Sequence, residues 1–189
     1  MKSCQNTNTF QIDNYVFKRI IGRNAISKKV FDIAFSINER YKDKEPVFII
    51  TLKGAIFFAT RLLKLITIPH TIDTITAKSY GQEMKSQGNV ELSSTDNSFY
   101  QKDIIIIEDI VDTGTTIIKL KEVLNLQKPS SIAIATLINK PHSHKTPLHI
   151  DYCCFELESE GFLIGFGLDY KEYGRNLNGL YSLIEEEQN

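Results

Sequence analysis

Residues 104 to 116 read IIIIEDIVDTGTT. Four consecutive isoleucines leave no alternation between a wet face and a dry one. The segment therefore fits a strand buried on both sides, which calls for a parallel sheet with helices over both faces. The run meets Glu108 and Asp109, then Asp112 two apolar residues later, then Thr113, Gly114, Thr115 and Thr116. In an open α/β sheet ligands bind beyond the carboxyl ends of the strands, where this stretch puts its acids and its turn. A helix starting near Thr115 would offer unpaired N–H groups and partial positive charge in its first turn. Gly114 permits close approach and three threonines add hydroxyls, so the turn can wrap a phosphate. The acids cannot bind that phosphate. Glu108 and Asp109 suit ribose hydroxyls, which donate hydrogen bonds, or Mg²⁺. Asp112, beside the turn, is placed to take or hold a proton at a reacting base. A single Asp or Thr at such a turn would be an ordinary helix cap. Three acids followed by TGTT exceed what capping needs.

The flanking pattern agrees. Ile26, Val30, Ile33, Ala34, Ile37 and Tyr41 recur at helical spacing and predict a helix over 25–41. VFIITL after Pro46 reads as a buried strand, LKGA (52–55) as a turn, and the stretch to about Ile66 as a helix. HTIDTITA reads as a strand with Ile72, Thr74 and Thr76 alternating with the others. After Gly114, Ile117, Ile118, Leu120, Val123 and Leu124 fit a helix that ends before Pro129. SIAIATLI, DYCCFEL and FLIGFGL read as later strands. Strand, helix, strand in succession predicts an α/β fold, with right-handed crossovers. Residues 78–98 are polar and contain two glycines, a long connection of the kind used for lids or hairpins.

The 189 residues suit one domain, 1–189. With 22 basic and 23 acidic residues the net charge is −1, which gives no electrostatic pull toward nucleic acid or an anionic membrane. Cys4, Cys153 and Cys154 form no CxxC pair, and read as inert thiols in a reducing compartment. MKSCQNTNTF lacks the apolar core of a signal peptide, and no run approaches the ~20 apolar residues of a membrane span. These features predict a cytoplasmic protein. His142 and His144 have no third ligand nearby in sequence and read as a solvated loop.

The string from Ile104 to Thr116 resembles the phosphoribosyl pyrophosphate signature of the purine phosphoribosyltransferases, most of all the hypoxanthine-guanine type. That pattern is an apolar strand, Glu-Asp, two apolar residues, then Asp-Thr-Gly-X-Thr. X is Thr115 here, where relatives often carry Lys, Arg or Asn. LKGA, Lys78-Ser79-Tyr80-Gly81, Asn139-Lys140-Pro141 and FLIGFGLDYKEYGRNL (162–177) follow in the family's order, and the resemblance covers roughly residues 15 to 182. It implies the type I phosphoribosyltransferase fold: a mainly parallel sheet flanked by helices, a small hood from about 150–189 plus the N-terminal segment, and a mobile lid over about 78–98.

The resemblance also implies roles. Lys53, Gly54 and Arg175 would contact pyrophosphate, across a Leu52–Lys53 bond that is cis in the family. Thr113, Gly114, Thr115 and Thr116, with Asp112, would hold the 5′-phosphate. Glu108 and Asp109 would bind ribose, and together with Asp169 a Mg²⁺ ion. Lys140 would meet the purine's exocyclic oxygen, Phe162 would stack on the ring, and Leu163 and Asp169 would border its edge. Asp112 and Arg175 would be catalytic, and Ser79 and Tyr80 would close the lid. The implied partners are phosphoribosyl pyrophosphate and a 6-oxopurine, within a homodimer or homotetramer. Rival readings are a xanthine-preferring enzyme of the same fold, a phosphoribosyl pyrophosphate sensor without turnover, and a Rossmann-type binder, although no GxGxxG is present.

Overall fold

The computed structural model describes residues 8–76, 91–92, 99–158 and 161–184. In chain order the elements are β1 (Thr9–Ile12), β2 (Tyr15–Ile21), α1 (Arg23–Arg40), β3 (Val47–Leu52), α2 (Ile56–Leu63), β4 (Thr71–Thr76), β5 (Glu91–Leu92), β6 (Asp103–Val111), α3 (Thr115–Asn125), β7 (Ser131–Asn139), β8 (Tyr152–Glu156), β9 (Leu163–Ile164) and β10 (Leu180–Leu183). The main sheet has the order β5-β4-β3-β6-β7-β8. Its strands β4, β3, β6, β7 and β8 run parallel, and β5 lies antiparallel on β4 at the edge.

The isoleucine strand is central, and its side chains divide between two cores. Ile104 and Ile106 pack with Ile117, Leu120 and Leu124 of α3. Ile105 and Ile107 pack on the opposite face, with α1 and α2. All four are fully buried, and each such side chain contributes roughly 2 kcal/mol by leaving water. The helix predicted over 25–41 spans Arg23–Arg40, and all the predicted residues from Ile26 to Tyr41 face the core. On β4 the alternation is present, but Asp73 and Ile75 face inward while Ile72 is exposed.

Two expectations are corrected. The strand carrying the isoleucines does not end at the acids. Ladder pairing with β7 continues to Val111↔Asn139, so Glu108 and Asp109 lie within β6. FLIGFGL is also not a full strand, since only Leu163 and Ile164 are extended in it. Gly165, Phe166 and Gly167 take φ values of 101°, 48° and 110°, which a strand cannot accommodate.

A second, antiparallel sheet of order β1-β2-β10-β9 joins the two terminal portions of the chain. Residues 152–156 complete the main sheet as β8, so the C-terminal strands of this second sheet begin at Leu163. The β1–β2 hairpin turns through Asp13 and Asn14, with Ile12 opposite Tyr15 and φ of 52° at Asp13.

Cys154 is buried and Cys153 partly so. Burial pushes their thiols up to about 12 and about 11 respectively. Thiolate, the reactive form, is therefore scarce at neutral pH. Native protein treated with iodoacetamide at pH 7.5 is expected to leave both unlabelled, while protein unfolded in denaturant gains label at both. Mass spectrometry of the peptide carrying them reads the outcome. Rapid labelling of the folded chain would contradict the burial argument.

Candidate active site

The carboxyl ends of β3 and β6 open into one cavity of about 900 Å³. The second sheet and the turns that follow β9 supply its far wall.

The phosphate-type turn lies on one side. Gly114 holds φ 76° and ψ −7° at the N-terminal boundary of α3, and no side chain caps that helix. Thr113 Oγ1 lies 3.1 Å from Thr115 Oγ1 and 3.4 Å from the Thr115 nitrogen. Among the described residues the first-turn N–H groups of α3, on residues that line the cavity, therefore have no strong acceptor. Asp112 is exposed, and its carboxylate makes no hydrogen bond or ion pair to other described residues. The capping role open to it in the sequence is not taken.

Glu108 and Asp109 line the same cavity but differ in burial. Glu108 is buried, and its Oε1 accepts from Thr51 Oγ1 at 2.8 Å and from the Asp109 nitrogen at 3.2 Å. Burial, reinforced by the neighbouring Asp109 charge, pushes its carboxyl well above the usual range. Asp109 is half-buried, and its carboxylate lies against Gly54, where any Cβ would overlap it.

The turn after β3 carries Lys53 and Gly54, and the Leu52–Lys53 peptide is cis. The Gly54 carbonyl in turn abuts Gly167, where a Cβ would run into it. Arg175 donates from Nη1 to the Gly167 carbonyl at 2.8 Å. It pairs through Nη2 with Asp169 Oδ1 at 2.8 Å and Glu172 Oε2 at 3.2 Å. Lys53 Nζ reaches the same Glu172 oxygen at 3.3 Å. Lys53 first and Arg175 second hold the Glu172 carboxyl below its ordinary value.

The opposite side carries an aromatic face and a buried cation. Lys140 is buried, and its Nζ donates to the Gly161 carbonyl at 3.3 Å. Phe162 is 48% exposed at the cavity. Tyr170 meets its ring edge-on at 5.7 Å, and Tyr15 of β2 meets Tyr170 at 5.3 Å. Leu163 is buried in β9, opposite Ser182.

The cavity thus gathers Lys53, Gly54, Glu108, Asp109, Asp112, the turn 113–116, Lys140, Phe162, Leu163, Asp169 and Arg175. Ser79 and Tyr80 lie outside the described residues. Thr51 and Glu172 also line it, beyond the residues expected from the sequence. Thr51 had a signal, as the one hydroxyl in the apolar run VFIITL. Glu172 had none, because its partner Lys53 is remote in sequence.

Comparison with known proteins agrees with this geometry. The phosphoribosyl transferase domain family matches residues 20–171. A hypoxanthine phosphoribosyltransferase of Salmonella typhimurium is 36% identical over 155 residues, covering 80% of this chain and 86% of its own. A hypoxanthine-guanine phosphoribosyltransferase of Streptococcus thermophilus is 35% identical over 176 residues, covering 93% and 97%. A crystal structure of a hypoxanthine-guanine phosphoribosyltransferase from Bacillus anthracis superposes with a TM-score of 0.80 at 33% identity, covering 88% of this chain and 98% of that one. The five parallel strands between helices are the type I phosphoribosyltransferase fold. With likeness in sequence running through nearly the whole of these relatives and likeness in structure matching it, the chain belongs to the phosphoribosyltransferase family, alongside its hypoxanthine-guanine members.

Proposed function

We propose that the protein is a purine salvage enzyme that transfers the 5-phosphoribosyl group from phosphoribosyl pyrophosphate to hypoxanthine or guanine, giving IMP or GMP and pyrophosphate. One observation carries this reading. A single cavity is lined both by a glycine turn at a helix start without a side-chain cap and by an exposed aromatic ring beside a buried lysine, with Asp112, unpartnered among the described residues, also lining it.

In this reading the N–H groups and hydroxyls of Thr113 to Thr116 bind the 5′-phosphate, and Asp109 with Glu108 behind it receives the ribose hydroxyls. Phe162 carries the purine, and Lys140 donates to its 6-oxygen. A 6-amino group, itself a donor, is disfavoured there. The bond from the anomeric carbon to pyrophosphate breaks with its electron pair leaving on the pyrophosphate. The lone pair of purine N9 forms the new bond, through an oxocarbenium-like state. The proton on N7 passes to Asp112. Lys53 and Arg175 bind the departing pyrophosphate, for which the guanidinium fork is suited. Catalysis comes mainly from positioning and from fixed charge.

Mg²⁺ fits this site through its substrate. Among the described residues no three His, Cys, Asp or Glu side chains converge as a metal cage. Asp109 and Asp169 nevertheless line the cavity on the pyrophosphate side, with Glu108 next to the first. One or two carboxylates completed by phosphate oxygens and water is the usual Mg²⁺ arrangement. When bound, the ion would neutralise charge on the leaving group. The reading extends to a cytosolic homodimer or homotetramer, which sedimentation analysis tests.

The test is product formation from phosphoribosyl pyrophosphate and Mg²⁺ with hypoxanthine, guanine, xanthine, adenine and uracil offered in parallel. Nucleotide from hypoxanthine or guanine is expected. Preferential use of xanthine would move the assignment within the family, and no turnover with substrate still bound would mark a sensor. Lys140→Met is expected to lower kcat/KM for hypoxanthine by about 10- to 100-fold, as lost charge-assisted hydrogen bonds do. Unchanged kinetics in that variant would remove Lys140 from base recognition.

A further inference from the structure

Glu172 stands at a turn whose sequence disagrees with its conformation. Tyr170 and Tyr173 exchange backbone hydrogen bonds of 3.0 and 2.9 Å and so close a two-residue turn. Both central residues hold positive φ, 50° at Lys171 and 69° at Glu172. Glycine and asparagine take that geometry readily, whereas lysine and glutamate do so at a cost. The turn fixes where the two side chains go. Lys171 Nζ pairs with Asp13 at 3.3 Å. Glu172 turns to the cavity, where its single oxygen Oε2 accepts from Lys53 Nζ at 3.3 Å and pairs with Arg175 Nη2 at 3.2 Å. Its own nitrogen is anchored to Asp169 Oδ2 at 2.7 Å. One oxygen shared by an ammonium and a guanidinium reproduces what a phosphate oxygen would find between the same two cations.

We infer that Glu172 is a placeholder for pyrophosphate, holding Lys53 and Arg175 in the free enzyme and yielding both to the entering diphosphate. The inference rests on the proposed reading of Lys53 and Arg175 as pyrophosphate ligands. It makes Glu172 a positioning residue that opposes binding. Incoming pyrophosphate must break two ion pairs, and departing pyrophosphate leaves behind cations that are paired again at once. The Lys53–Glu172 pair is largely exposed, with side-chain exposures of 69% and 64%, and so weak enough to exchange; Arg175, 21% exposed, keeps Asp169 Oδ1 at 2.8 Å when Glu172 lets go.

Titration calorimetry of the full chain with pyrophosphate in the presence of Mg²⁺ tests this. Glu172→Gln is expected to bind pyrophosphate about three- to tenfold more tightly than the wild type, the range expected when one or two weak ion pairs no longer compete. Glu172→Asp, which withdraws the carboxylate by one methylene, is expected to move in the same direction. Lys171→Gln, at the same turn but facing away, is expected to match the wild type. A residue that merely supports the structure would weaken binding when replaced, so tightening distinguishes the two roles. Unchanged or weaker binding in both Glu172 variants overturns the inference and leaves the reading of Lys53 and Arg175 intact. No pyrophosphate binding in any form overturns that reading, and the inference with it.

Discussion

Replacing Asp112 with asparagine is expected to lower kcat by about 10²- to 10⁴-fold, the usual weight of a positioned acid–base group. The dissociation constant for phosphoribosyl pyrophosphate is expected to change only a few-fold. Asparagine keeps the shape of the side chain and leaves the backbone of 113–116 free to hold the 5′-phosphate, but it cannot accept the purine proton. The structure makes the experiment clean, because Asp112 is exposed and its carboxylate bonds to no other described residue. Removing its charge orphans no partner among the described residues. Steady-state kinetics together with direct binding of phosphoribosyl pyrophosphate would separate the two effects. Wild-type turnover in the variant would sink the role given to Asp112. Equal losses in binding and turnover would make it a phosphate-loop residue instead.

Gly167→Ala is expected to be strongly damaging. Its φ of 110° lies where an L-residue is strained, and the new Cβ would run into the backbone carbonyl of Gly54. A backbone atom cannot step aside as a flexible side chain can. A cost of about 2 kcal/mol or more follows, and the melting midpoint is expected to fall by about 4 to 8 °C. Function is expected to suffer beyond stability. The Gly167 carbonyl receives Arg175, and its neighbour Gly54 adjoins Lys53. KM for phosphoribosyl pyrophosphate is therefore expected to rise at least about tenfold below the melting range. A variant that melts and turns over like the wild type would show that the turn yields more easily than its geometry implies.

How much of this was legible in the sequence varied with the range of the interaction. Ile104 to Ile107 announced a strand covered on both faces because hydrophobic pattern is a local signal, and both faces are covered. The stripe from Ile26 to Tyr41 was equally plain. The motif 108–116 could be read because one strand and one turn contain all of it. Its internal division could not. Pattern alone did not tell that β6 runs on through Glu108 and Asp109, burying the first and leaving the second half-open. The left-handed run at Gly165, Phe166 and Gly167 was hidden by residues that otherwise look like a strand. The pair Asp13-Asn14 between TFQI and YVFKRII is a local turn signal, of residues that tolerate such turns. Tyr15 supporting Tyr170, and Glu172 between Lys53 and Arg175, join distant parts of the chain, so no window of sequence displays them.

The second sheet has a consequence for how the protein comes into being on the ribosome. β2 ends at Ile21 and pairs with β10, which begins at Leu180. A strand made among the first must wait for one made among the last. The half of the molecule around β6 and α3 draws on neighbours close in sequence and can form early, whereas pairings across so much chain close late. On that order a nascent chain would form the turn at 113–116 before the Tyr15–Tyr170–Phe162 stack proposed to carry the base. Synthesis interrupted short of β10 would leave β2 without its partner strand, and with it the sheet on which Tyr15 meets Tyr170.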